Sequence, residues 1–233
     1  MEKIAICIPT RNRPKSMMEC IVEAMANAIA PTFIEPIFYI DDDDEKSKKM
    51  AEHLHQTWPQ IKWVIGQRIV LSDMWNKCVE ISDADIFMQC GDDIRIRTNR
   101  WDEMVRDHFN SIPDKISFAF GYDGIHPKGR FGTHGFLHKR WIDVVGYFLP
   151  PYFEADYCDT WINEVATMIG RFHHIPIYTE HMHFTAGKHP LDQTHEERLQ
   201  RAKDNQVEQK YMNLRPERIA DANKLWSYLD SLK

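Results

Sequence analysis

Apolar residues follow two alternating rhythms along the first half of the chain. Short apolar runs rich in Ile recur at positions 4–8, 37–40, 61–65 and 86–90, interrupted only by Lys62 and Gln89. Their length and β-branched content predict buried strands. Between them the spacing changes to that of one helix face. Met17, Met18, Ile21, Val22, Met25 and Ile29 follow Pro14, which suits a first helical position. Met50, Leu54 and Trp58 predict a second helix, and Trp75, Cys78 and Val79 a third with Ser72 as its cap. Trp101, Met104, Val105, His108 and Phe109 form a fourth stripe. This order predicts an α/β fold, a mainly parallel sheet with helices on both faces.

The second half is less regular. Positions 116–120 and 136–138 read as strands, separated by a loop at 121–135 rich in Gly, Pro and His. Trp161, Ile162, Val165 and Ile169 share a helical face, and 175–183 reads as a late strand. After Gly187 the chain turns charged. Ile219, Ala222, Trp226, Leu229 and Leu232 predict an amphipathic terminal helix, docked on the core or on a second copy as a homo-oligomer contact.

Composition narrows the class. The 233 residues are 43% hydrophobic and 12% aromatic, enough for a sizeable core and against a disordered or disulfide-dependent chain. Lys and Arg number 29 against 35 Asp and Glu, giving −6, which disfavours a generic basic nucleic-acid coat while leaving a local basic patch open. No apolar run approaches the roughly 20 residues of a membrane span. The opening MEKIAICIPTRNRP lacks the features of a secretory signal. Cys7, Cys20, Cys78, Cys90 and Cys158 are isolated in apolar segments and form no CxxC pair, which reads as reduced core thiols in a cytoplasmic protein.

The acids stand where chemistry is expected. In an open parallel sheet, ligands bind beyond the carboxyl ends of the strands. The first strand ends at Pro9-Thr10-Arg11-Asn12, the second at Asp41 to Asp44, and the fourth at Gly91-Asp92-Asp93. Carboxylates gathered at one edge need a cation among them, and a hard divalent ion would serve and would admit a diphosphate. Asp43, Asp44 and Glu45 read better as solvated surface. His181 and His183, two apart in the late strand, would point to one face, one toward a metal and the other toward a phosphate. Glu154, Asp156 and Asp159 precede the Trp161 helix and are candidate general bases. A catalytic one needs burial or neighbouring acids to raise its pKa. The P-loop, GxGxxG, GxSxG and HExxH motifs are all absent.

Four segments in order, IAICIPTRNRP, FYIDDDD, ADIFMQCGDD and EADYCDTWINEV with EHMHF, resemble inverting glycosyltransferases of the GT-A fold, broadly the family 2 type. The likeness covers residues 3–187. It implies a GT-A catalytic domain at 1–187, with a nucleotide half at about 1–98 and an acceptor half at about 99–187, and a helical extension at 188–233. It also implies a nucleotide-diphosphate sugar donor, UDP-sugar favoured, and Mn2+ or Mg2+. Carried across, Pro9, Thr10, Arg11 and Asn12 would line the nucleotide site. Asp41, with Asp42 beside it, would meet base or ribose. Asp92 would hold ribose or metal-bound water, and Asp93 would bind the metal with His181 or His183. Asp159 would be the base, with Asp156 and Glu154 as rivals, because Cys158-Asp159 replaces the usual Glu-Asp pair.

A nucleotidyltransferase on a related fold, or an inactive glycosyltransferase-like binding protein, remain the alternatives. The acceptor stays open among a glycan, a protein, a lipid-linked sugar and a modified nucleobase.

Overall fold

The computed structural model describes residues 1–233. The first half alternates as predicted: β1 (Ile4–Thr10), α1 (Pro14–Ala26), β2 (Ile34–Asp41), α2 (Glu45–Thr57), β3 (Lys62–Gly66), α3 (Leu71–Glu80), β4 (Ile86–Gln89), β5 (Ile94–Ile96) and α4 (Trp101–Asn110). The second half adds β6 (Phe118–Tyr122), β7 (Gly135–His138), α5 (Lys139–Val145), α6 (Cys158–Met168), β8 (Phe172–His181), α7 (Gln193–Asp204), α8 (Val207–Asn213) and α9 (Arg215–Ser231).

The eight strands run β3-β2-β1-β4-β7-β6-β8-β5. The β3-β2-β1-β4 half is parallel throughout. The other half is mixed, because β7 runs antiparallel to both β4 and β6 and β5 antiparallel to β8. The apolar runs arise because both faces of the sheet are covered. Ile4, Ile6 and Ile8 of β1 pack with Met17 and Ile21 of α1, whereas Ala5 and Cys7 point the other way, toward Trp75 and Cys78 of α3. All five cysteines are free and buried.

Four expectations change. Ser72 is not a cap: Val70 takes that place and Ser72 is buried, its hydroxyl against Phe153 O. Strand β5 was not foreseen, being only three residues long. The late strand ends at His181, so His183 caps a short 3-10 turn instead of sharing the strand. The terminal helix turns a different stripe inward: Arg218, Asp221, Ala222, Leu225 and Leu229 are buried, while Ile219, Trp226 and Leu232 are exposed. The reason is polar. Asp221 accepts hydrogen bonds from Tyr147 Oη and Trp161 Nε1, and the Arg218 guanidinium stacks on Tyr211.

No helix is long and apolar enough to cross a membrane.

Candidate functional site

Beta strand order reverses at β1, whose neighbours are β2 and β4. Their carboxyl ends open onto a cleft of about 220 Å³. Its wall includes Pro9 and Thr10 at the end of β1, Arg11 and Arg13 after it, Asp41 at the end of β2, Arg68 after β3 and Asp92 and Asp93 after β4. Asp156, Asp159, His181 and His183 face it from the second half.

Asp92 and Asp93 are both buried. Thr10 Oγ1 donates to Asp92 Oδ2 (2.7 Å), and Arg13 Nη1 lies 3.3 Å from Asp92 Oδ1 and 4.0 Å from Asp93 Oδ2. Burial pushes the Asp92 carboxyl up. Arg13 pulls it back only in part, and the charge on Asp93 adds to the rise. Burial opposes ionisation of Asp93 as well, but His181, His134 and Arg13 outweigh it and hold this carboxyl below the usual range. The neighbouring glycine matters for space. A Cβ on Gly91 would sit 2.7 Å from Asp93 Oδ1, so the glycine makes room for the carboxylate itself.

Strand β5 then does its work through register. Ile94 pairs with His181, and Met182 N donates to Asp93 O (2.9 Å), so Asp93 is fixed beside β8. His181 Nε2 lies 3.4 Å from Asp93 Oδ2. His134 stands edge-on to His181 with ring centroids 4.9 Å apart. Both ring nitrogens of His134 and Nδ1 of His181 are buried without a partner. An unpaired buried polar atom is costly, and such atoms point to a ligand or ordered water. A carboxylate beside imidazoles is a donor set that fits a divalent ion, Mn2+ more readily than Mg2+. His183 lies next to His181 at 4.8 Å between centroids, and Thr185 occupies its Nδ1. Burial lowers its pKa to about 4. A further trio, His189, Asp192 and His195, brings donor atoms within 4.8 Å of one another. There Arg13 Nη2 lies 2.7 Å from both Asp192 Oδ1 and His195 Nδ1 and takes the place of a cation.

At the other end of the cleft, Arg11 Nη1 donates to Asp41 Oδ2 (2.8 Å), and Arg68 Nε lies 4.0 Å from the same oxygen. Burial raises the Asp41 pKa against the pull of Arg11. Asn12 and Asp42 are exposed and do not line the cleft. The reason is local. Asn12 takes φ 56°, and its N–H donates to Asp44 Oδ2 (2.6 Å), which turns its side chain outward. Asp44, read from sequence as solvated, is instead buried and caps α2 through Ser47 N.

Opposite the acids, Asp156 and Tyr157 both adopt left-handed backbone, φ 34° and 61°, before α6 begins. Strain of that kind persists where surrounding structure enforces it. Asp159 follows in the first turn of α6. Burial raises its pKa to about 6, and Asp156 adds to the rise. Its Oδ1 accepts from Thr160 N (2.7 Å), and it makes no ion pair. The rival acids are engaged: Arg198 holds Asp156 (2.6 Å) and Lys210 holds Glu154 (2.7 Å).

Sequence reasoning passed over Arg13, Arg68, Arg198 and Arg201 and gave little weight to the loop histidines His134 and His195, all of which line the cleft. Arg13 stood within the PTRNRP loop already singled out. The two α7 arginines lie in a charged stretch that carries no signal.

No protein-family model matches the chain, and the search of curated proteins gives no match. Solved structures do match. S. aureus TarS 1–349 superposes with a TM-score of 0.59 at 10% identity, over 76% of this chain and 60% of that one. The mannosyltransferase PcManGT of Pyrobaculum calidifontis, in complex with GDP-Man and Mn2+, gives 0.60 at 11%, over 77% and 56%. TarS 1–349 in complex with UDP-GlcNAc gives 0.57 at 11%, over 76% and 58%. The chain thus spans under two thirds of these structures. At such identity the likeness is one of fold: the α/β fold is that of GT-A-like glycosyltransferases.

Proposed function

We propose that this chain is a glycosyltransferase that moves a sugar from a nucleotide-diphosphate donor to an acceptor hydroxyl, with inversion, as in family 2. A UDP-sugar is the favoured donor and Mn2+ or Mg2+ the assisting ion. One observation carries the reading: buried polar atoms without partners converge on a single cleft, at the strand ends where a nucleotide would lie. They belong to Arg11, Gln89, His134, His181 and Arg198. The named neighbours support it, since TarS was solved with UDP and with UDP-GlcNAc, and PcManGT with GDP-Man and Mn2+.

In this reading Pro9, Thr10, Arg11, Asp41 and Arg68 hold the nucleoside, and Arg13 keeps Asp92 ionisable beside the ribose. Asp93 and His181 would hold the ion, with His134 and His183 around them. When bound, the ion offsets charge on the leaving diphosphate as a Lewis acid. Asp159 accepts the proton of the acceptor hydroxyl as its oxygen attacks the anomeric carbon. The bond to the diphosphate oxygen breaks from the opposite side, so the configuration inverts in one displacement. A carboxyl with a pKa of about 6 is a better base than an ordinary aspartate and is still ionised at neutral pH.

The test is product analysis of a sugar-nucleotide panel with Mn2+, water serving as the default acceptor. Phosphorus NMR is expected to show a nucleoside diphosphate, and proton NMR a first-formed sugar of inverted anomeric configuration. Donor consumption only when pyrophosphate is added, giving a nucleoside triphosphate and a sugar 1-phosphate, would mean a nucleotidyltransferase. No consumption of any donor, with or without added saccharide acceptors, would contradict the reading.

A further inference from the structure

Helix α7 crosses the mouth of the cleft, and polar contacts hold it there. Arg13 Nε donates to Asp192 Oδ2 (2.8 Å) just ahead of the helix, and Thr194 Oγ1 donates to Arg11 O (3.1 Å). Arg68 Nη1 donates to Glu197 Oε2 (2.5 Å). Arg198 and Arg201, three apart, share a face of the helix and line the cleft.

Their charges are not fully met. The acids around them are already claimed: Asp41 by Arg11, Glu197 by Arg68, Asp156 by Arg198 and Glu154 by Lys210. The Arg201 guanidinium makes one hydrogen bond, from Nη2 to Ile69 O (3.2 Å), and no ion pair. Burial and the neighbouring Arg68 both disfavour its charge. Arg198 Nε is buried without a hydrogen-bond partner, and Arg11 Nε has only Glu197 Oε2 at 3.9 Å. Two guanidinium groups lining one cleft, Arg201 without an ion pair and Arg198 with an unused N–H, are matched to an anion from outside the protein. A guanidinium fork matches the oxygens of a phosphate, and such charge-assisted bonds are the strong ones.

We infer that α7 completes the donor site, with Arg201, assisted by Arg198, binding the phosphates of the nucleotide. The inference rests on the donor-site reading above and deepens it. The charged stretch after Gly187 is then a wall of the binding site, already tied to the loops after β1 and β3.

Calorimetry on the full chain separates the possibilities. Uridine, UMP and UDP, with guanosine, GMP and GDP alongside, are titrated with and without Mn2+ into wild type, Arg201→Gln, Arg201→Lys and Lys203→Gln. Lys203 is an exposed control on the same helix. For the base that wild type prefers, Arg201→Gln is expected to weaken diphosphate binding by on the order of tenfold. It should leave nucleoside binding unchanged. Arg201→Lys should recover part of the loss, and Lys203→Gln should match wild type. Equal diphosphate affinity in wild type and Arg201→Gln would overturn the inference while sparing the donor-site reading. Equal loss of nucleoside and diphosphate binding would do the same, since it marks a structural role. If Arg201→Gln fails to fold, Arg201→Lys decides: unaltered diphosphate preference with unaltered affinity for all three ligands overturns a fork-specific phosphate contact. Wild type that binds neither diphosphate would overturn the donor-site reading itself.

Discussion

Asp159 is the residue whose chemistry depends most on its surroundings. Its folded pKa of about 6 lies above that of a free aspartate near 3.9, because burial disfavours the charge. Two consequences have opposite signs. As a base it must be ionised, so the transfer rate should rise with pH through about 6 and level off above it. For folding, ionisation is unfavourable, so its contribution is best below about pH 4 and worsens as pH rises through about 6. Asp159→Asn should therefore lower the rate by about 10²- to 10⁴-fold while melting no lower than wild type at pH 8. The stabilisation is at most about 3 kcal/mol. A pH–rate profile and melting curves at two pH values check both signs. Gly91 makes a separate point. Gly91→Ala should displace the Asp93 carboxylate, which a Cβ would approach to 2.7 Å. It should weaken Mn2+-dependent nucleotide binding more than metal-free binding, as titration calorimetry would show. Asp41, Asp92 and Asp93 were legible as cleft residues because each stands at the end of a buried strand, where a carboxylate has few structural reasons to be, whereas Asp159 opens a helix, where the dipole also favours an acid. Arg13, His134 and His195 were not, because their place follows from loop paths and strand pairing that no local pattern encodes.

At the scale of elements, legibility followed how much apolar surface each one buries. The four strands of the parallel half and helices α1 and α4 carry full stripes and were read directly. β5 has three residues and forms by pairing with β8, a partner more than 75 positions away in the chain. α7 buries only His195 and α8 only Val207, so neither shows an apolar rhythm. In α9 the reading found the helix and missed its face, since Arg218 and Asp221 are buried by partners on α6, on α8 and in the turn after α5, and pull the inward stripe round. The correction is measurable. Leu225 is fully buried, and Leu225→Ala should cost about 2–5 kcal/mol. Trp226 is 43% exposed, and Trp226→Ala should stay within about 0.5 kcal/mol. Denaturant titrations of the two variants compare the faces, and a larger loss at Trp226 would restore the original stripe.

Taken whole, the molecule carries −6 yet lines one cleft with Arg11, Arg13, Arg68, Arg198 and Arg201. Net charge was readable from composition, and this gathering of arginines was not, because they come from three separate segments. With these arginines set among Asp41, Asp92, Asp93, Glu154, Asp156 and Asp159, the cleft should bind nucleoside diphosphates in a salt-dependent way. Raising NaCl from about 50 to about 500 mM should weaken binding several-fold, as screening shortens the reach of each charge. The central claim, a metal-assisted nucleotide-sugar site built on Asp93, is tested most directly by a thermal-shift series. Nucleoside diphosphates and sugar nucleotides, each with and without Mn2+, are added to wild type and Asp93→Ala, since a ligand that binds only the folded state raises Tm by mass action. The account predicts a Mn2+-dependent rise in Tm with nucleotides of one base in wild type and its loss in Asp93→Ala. No rise with any nucleotide at millimolar levels, with or without Mn2+, would contradict it.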